Sequence, residues 1–151
     1  MEITKKEIKK ISRKFRTLGS RVMHAHRHEV NTTIKMFVDY MENTPLIMDY
    51  IVSRHQEIHG FEEDLLRIEN SYGNEMLNIG VTPDYELTYI FQVLKYISKH
   101  PQYQTDRIGW GYTSSKSYQD MVDVFGNRVV QPFVTNINDY LMDISTDMGF
   151  D

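Results

Sequence analysis

The sequence contains no cysteine, and this absence removes several kinds of chemistry at once. Disulfide bonds, thiolate metal sites, iron–sulfur clusters and cysteine nucleophiles are all excluded. A chain without disulfides suits a reducing compartment, so we expect a cytoplasmic location. Long apolar runs are absent as well, because no stretch approaches the roughly 20 apolar residues that cross a bilayer. We therefore expect no membrane partner.

Proline and glycine are scarce, with four and eight residues, and no segment has the composition of a flexible linker. A length of 151 residues is sufficient for one domain with a buried core. The sequence shows no alternating strand pattern, internal repeat or low-complexity tract. We expect residues 1–151 to form a single helical domain.

Helical periodicity organises the chain. The clearest helix is bounded by Thr82 as its cap, Pro83 at its first position and Pro101 beyond its end. A second apolar stripe continues for about seven turns after Tyr118, and Pro132 within it predicts a bend. The predicted fold class is all-α, an irregular bundle of about five to six helices with a long, Pro-kinked C-terminal helix. We expect these two helices to bury Leu87, Phe91, Leu94, Phe125, Val129, Phe133 and Ile137.

Residues 101–116 lack helical periodicity and are predicted to form the long loop. This loop carries Trp110, the only tryptophan, between two glycines that permit unusual backbone angles. One interpretation is a binding loop that presents Arg107, Trp110 and Tyr112 to a partner. The alternative is that Trp110 closes the end of the core.

Charge is distributed unevenly. Residues 1–35 hold ten Lys/Arg and three Asp/Glu, a formal charge of +7, whereas residues 36–151 hold seven and eighteen, a charge of −11, which together give −4. A basic segment before an acidic body is one form of nucleic-acid interface. The alternative is a basic helix that faces solvent or lies against the acidic body of its own or a neighbouring subunit. The candidate nucleic-acid contacts are Lys5, Lys6, Lys9, Lys10, Arg13 and Lys14.

The stretch HAHRH at residues 24–28 places His24 and His28 four residues apart, a spacing that two ligands on one helix face can use. The apolar stripe of the first helix extends through His26 to Met41, so we expect either one long helix or two that meet near Gly19. In such a helix His26 joins the buried stripe, and the other two histidines share a cationic face. The three imidazoles then cannot bind one ion.

The stretch RHQEIHG at residues 54–60 resembles the zinc-protease pattern H-E-x-x-H, but its glutamate stands at the middle position. On a helix, Glu57 points away from the face of His55 and His59 and cannot act as a general base there. We therefore expect no metal, no cofactor and no catalytic residues. The sequence also lacks a Gly-rich phosphate loop and a G-x-S-x-G turn.

The C-terminal stretch FGNRVVQPFVTNINDYLMDISTDMGFD resembles the end of a helical domain in uncharacterised bacterial proteins, mainly of low-GC Gram-positive species and their mobile elements. Some of these proteins belong to phage-defence settings, so the resemblance implies a helical regulatory or assembly module and supplies no catalytic residues. The matching residues are Arg128, Val129, Val130, Pro132, Phe133, Val134, Ile137, Tyr140 and Leu141.

These observations favour a non-catalytic helical interaction module that binds a protein partner or self-associates. Two alternatives stay open. One is a nucleic-acid-binding protein that uses the basic N-terminal helix, and the other is a histidine-based metalloprotein.

Overall fold

The computed structural model describes residues 3–149, and the two residues at each end of the predicted 1–151 domain lie outside that range. Within it the chain is all helical, without strands, which confirms the predicted fold class. No helix in this range has the length and apolar character required to span a membrane. The helices are α1 (Lys5–Met23), α2 (Val30–Glu42), α3 (Pro45–Ser53), α4 (Phe61–Glu69), α5 (Pro83–Lys99), α6 (Asp106–Trp110), α7 (Tyr118–Phe125) and α8 (Gln131–Asp147).

The first helix begins at a capping box, in which Thr4 and Glu7 satisfy each other's backbone N–H groups. It ends at Met23, and α2 begins at Val30, so the break lies in residues 24–29. Both alternatives, one long helix and two helices that meet near Gly19, were therefore wrong. Gly19 is buried within α1, where a Cβ atom would lie 3.0 Å from a methyl group of Val134 in α8. It permits close helix packing.

A chain of phenylalanine rings links four helices at the centre of the core. Phe37 of α2 contacts Phe15 of α1 and Phe133 of α8, with ring centroids 5.2 Å and 6.2 Å away. Phe133 also stacks with Phe91 of α5 at 6.4 Å. All seven side chains that were predicted to be buried are buried, which confirms the two apolar stripes as the sides of one core.

The C-terminal segment is continuous from α7 to α8, but its irregularity differs from the predicted proline kink. A π-helical turn, Gly126–Val130, connects the two helices, and Pro132 lies at the beginning of α8. At the end of this turn the backbone N–H of Gln131 donates to the carbonyl of Gly126, five residues earlier. A widened turn accommodates a proline ring that would clash with an α-helical carbonyl. Counting α7, the π turn and α8 as one long helix gives seven helices within residues 3–149.

The helix beyond the predicted number is α6, which lies in the segment that was predicted to be a loop. It is only five residues long, too short to show a helical period in sequence. Tertiary packing holds it: Gly109 lies so close to the backbone carbonyl of Met121 in α7 that any side chain would clash. The segment is thus part of the packed body.

Replacing Phe91 with alanine should lower the free energy of unfolding by about 3–5 kcal/mol, because Phe91 is buried and stacks on Phe133. Urea unfolding followed by circular dichroism measures the change. Val81→Ala is the control, since Val81 is 99% exposed and its loss should change stability by less than about 0.5 kcal/mol. A loss below about 1 kcal/mol in Phe91→Ala would contradict the core assignment.

Candidate functional site

An open cleft of about 650 Å³ lies where the start of α2 faces the end of α5 and α6. Three Lys/Arg and four aromatic side chains are in its lining, and Trp110 and Arg107, two of the three predicted partner-binding residues, are among them. The side chains that matter for its chemistry are Arg27, His28, Asn31, Lys35, Tyr72, Asp106, Arg107, Trp110 and Tyr118.

The side-chain amide of Asn31 joins the two walls of the cleft. Its Nδ2 donates to the backbone carbonyls of Pro101 and Tyr103, at 3.1 Å and 2.8 Å. Its Oδ1 accepts a 2.5 Å hydrogen bond from the hydroxyl of Thr105, a residue that is 2% exposed. The amide therefore fixes the distance between the first turn of α2 and residues 101–105.

The wall that consists of residues 101–105 and α6 is held against α4 by three hydrogen bonds. The buried hydroxyl of Tyr103 donates to the carbonyl of Leu65 at 2.7 Å. The backbone N–H of Gln104 donates to the carboxylate of Glu69 at 2.8 Å, and Nη1 of Arg107 donates to the backbone carbonyl of Glu69 at 2.5 Å. Burial, with nearby Glu69 as a lesser cause, raises the pKa of the Tyr103 phenol well above its usual value.

Trp110 is half-buried on this wall and packs against the backbone of the 70–82 loop. A Cβ atom at Gly73 would come within 2.8 Å of the indole, so only glycine fits there. Tyr72, which has a positive φ of 54°, meets Trp110 edge-on at 6.1 Å. The guanidinium of Arg107 lies 5.1 Å from the centre of the Tyr72 ring. Indole, phenol and guanidinium are thus held together at the edge of the cleft.

A second pairing of a cation with a ring lines the cleft at the start of α7. The guanidinium of Arg27 lies 5.1 Å from the centre of the Tyr118 ring, and Tyr118 is 53% exposed. Gln119 fixes the backbone beneath them, because it accepts a 2.9 Å bond from the N–H of Arg27 and donates a 3.0 Å bond to the carbonyl of Ala25. The 24–29 segment is thereby attached to α7.

The cleft carries an excess of positive charge. Its lining includes the cations Arg27, Lys35 and Arg107 and one carboxylate, Asp106, a formal balance of +2 with histidine neutral. Among residues 3–149, Arg27 forms no ion pair, and Lys35 pairs with Asp39 at 3.5 Å where both side chains are more than half exposed. These charges lie at a surface on which an anionic group could approach them.

Tyr112 does not line the cleft, although it was predicted to act beside Trp110. Its half-buried ring packs under the guanidinium of Arg128 at 5.5 Å. Burial raises the pKa of its phenol, partly offset by Arg128. The sequence could not show that Trp110 lines the cleft and Tyr112 does not, because the direction of each side chain follows from α6 and the turn after it.

The helical-wheel argument for HAHRH was wrong, because these residues lie outside both helices. His26 was expected to be buried but is exposed, as are His24 and His28. The rings of His26 and His28 lie 5.1 Å apart, and Nδ1 of His24 is 2.9 Å from the backbone carbonyl of Ser20. Residues 24–29 are a connection, so the 3.6-residue period does not apply to them.

The stretch RHQEIHG also lacks helical structure, because α3 ends at Ser53. Glu57 was expected to point away from the histidines, yet its carboxylate lies 3.4 Å from Nε2 of His59, with both side chains more than 80% exposed. Across the described part of the chain, no group of three or more His, Cys, Asp or Glu residues is placed to hold a metal ion.

The six cations predicted as nucleic-acid contacts line the exposed surface of α1. None of them pairs with a carboxylate of the described chain, so they do not lie against the acidic body. None of them is among the residues that line the concave cleft. These six residues are Lys5, Lys6, Lys9, Lys10, Arg13 and Lys14.

Sequence reasoning missed Arg27, Asn31, Tyr72 and Tyr118. Arg27 stands inside HAHRH, where attention fell on the histidines, and Tyr118 was assigned to an apolar stripe. No single periodic pattern includes all four residues, since they come from four separate segments. One signal could have drawn attention to Arg27: it is a cation between histidines, in a stretch that could also connect two helices.

Tyr103→Phe should lower the free energy of unfolding by about 1–2 kcal/mol at pH 7, because the buried carbonyl of Leu65 loses a donor. The folded-state pKa of Tyr103 is raised, so its stabilising contribution is complete below about pH 10, the pKa of an unfolded tyrosine, and is lost as pH rises above it.

The stability difference between the parent chain and Tyr103→Phe should therefore shrink by about 1 kcal/mol between pH 7 and pH 11. Urea unfolding at both pH values measures it. Tyr118→Phe, at an exposed ring, should match the parent chain at pH 7. A difference that grows with pH would show that the phenol is not buried in its neutral form.

No protein-family model, curated protein sequence or solved structure matches this chain, so the resemblance of its C-terminal segment to bacterial helical domains stays a prediction.

Proposed function

We propose that the chain is a non-catalytic helical interaction module that recognises negatively charged groups of its partner in the cleft between α2, α5 and α6. The observation that carries the proposal is that two cation–ring pairs, Arg27 with Tyr118 and Arg107 with Tyr72, line one concave surface. An arginine over a ring keeps its N–H groups at the edge of the guanidinium free to meet an anion.

The lining supports binding better than catalysis. Asp106 is the one carboxylate among the described residues that line the cleft, so a carboxylate pair for acid–base chemistry is not formed there. The two arginines are held in place, Arg27 by the ring of Tyr118 and Arg107 by the ring of Tyr72 and the backbone carbonyl of Glu69, which reduces the ordering cost of binding. A protein segment, an acidic surface of a second copy and a nucleic acid all carry suitable charge.

The only tryptophan lies in this cleft and reports on binding directly. Tripolyphosphate serves as a probe of anion recognition. We expect it to change Trp110 fluorescence in a saturable way, with a dissociation constant below about 1 mM at low salt.

Removing two cleft charges in Arg27→Gln/Lys35→Gln should weaken this binding about tenfold, or about 1.4 kcal/mol. The matched control is Lys9→Gln/Lys10→Gln, which removes the same charge from the exposed surface of α1 and should leave the affinity within about twofold. An unchanged tryptophan signal, or equal effects of both double variants, would refute anion recognition by the cleft.

A further inference from the structure

We infer that the partner of the cleft is a single-stranded nucleic acid. This inference rests on the proposed function, because it assigns a ligand class to the same site. A single strand is a flexible polyanion that carries a flat ring at every unit, so its recognition requires cations and ring faces in alternation along one path.

The first supporting observation is the type of ring in the cleft. Tyr72 and Tyr118 are 63% and 53% exposed, and Trp110 is half-buried beside Tyr72. Tyrosine and tryptophan combine an apolar ring with a polar group, and for this reason they are enriched at interfaces. Stacking of a base on an aromatic ring tolerates any sequence, because every base has a π face.

The second observation is that the cleft continues into two neighbouring grooves. Arg27 and Tyr118 also line the next groove, together with His24, His26 and Lys116. The two histidines in turn line a third groove beside Arg21.

Across all three grooves the lining includes five Lys/Arg and two Asp/Glu residues, a formal balance of +3. The whole chain has a formal charge of −4, so this path differs in sign from the chain as a whole. The five cations are Arg21, Arg27, Lys35, Arg107 and Lys116.

Other anionic ligands fit this path less well. An acidic peptide would use the cations and leave the three rings without a role. A duplex keeps its bases stacked inside and would leave the rings of the cleft without a role, and the cation-rich surface of α1 offers no exposed aromatic ring beside its cations. A single strand uses both kinds of side chain in the cleft.

The experiment measures fluorescence anisotropy of labelled oligomers with the full chain. The probes are an oligothymidylate and an oligouridylate of about ten nucleotides, a duplex of the same length and a decaglutamate peptide. We expect both single strands to bind at about 50 mM salt and the peptide to bind at least tenfold more weakly. The two single strands separate DNA from RNA, since only RNA offers a 2′-hydroxyl.

Salt dependence counts the phosphate contacts. Three cleft cations should give a slope of about −2 for log K against log salt, since each contact on a single strand contributes about −0.7. Arg27→Gln should reduce the slope to about −1.4.

Stacking is tested at the exposed ring of Tyr118. Tyr118→Leu should weaken single-strand binding about tenfold, and Tyr118→Phe, which keeps the ring, should restore it. Circular dichroism of each variant verifies folding. The cation control is Lys9→Gln/Lys10→Gln, which should change single-strand affinity by less than about twofold.

Each contrary result has a distinct meaning. If decaglutamate binds as tightly as the single strands and Tyr118→Leu has no effect, anion recognition survives and the nucleic-acid inference is overturned. If the duplex binds best and the α1 double variant abolishes binding, the interface is α1 and the inference is again overturned. If neither these probes nor tripolyphosphate bind, the proposed function fails with it.

Discussion

The side-chain amide of Asn31 is the interaction on which the candidate site depends. It makes three hydrogen bonds across a sequence separation of about 70 residues, two to backbone carbonyls and one to the buried hydroxyl of Thr105. Lys35 follows the position of α2 and Arg107 follows residues 101–105, whereas Arg27 is held by Gln119 of α7. The spacing of Lys35 and Arg107 therefore depends on one polar group that hydrophobic packing alone would not place.

Glycine supplies the second constraint on this site. Gly109 lets α6 meet the backbone of α7, and Gly73 lets the 70–82 loop lie against the indole of Trp110. Both contacts hold aromatic side chains at the edge of the cleft without burying them in the core. A surface fixed in this way loses little conformational freedom when a ligand binds, which favours recognition by weak individual contacts.

The apolar stripes of α5 and the C-terminal segment made the core predictable, because a long helix with one buried face repeats its pattern many times. The site was predictable only at Arg107 and Trp110, where a lone tryptophan stood between glycines. Short or irregular elements account for the errors: α6 is one turn long, and the 24–29 connection interrupts a stripe that continues on both sides of it. The periodic spacing of apolar residues cannot reveal a break between two helices when the spacing continues almost unchanged across the break.

Backbone amide chemical shifts provide the most direct measurement of the central claim, that the Asn31-braced cleft is the binding surface of this chain. A titration of the isotope-labelled protein with a single-stranded oligonucleotide should shift resonances of residues 27–35 and 101–110 together, with residues 5–14 of α1 unaffected. Shifts confined to residues 5–14, with the cleft unchanged, would contradict the account and assign binding to the basic surface of α1.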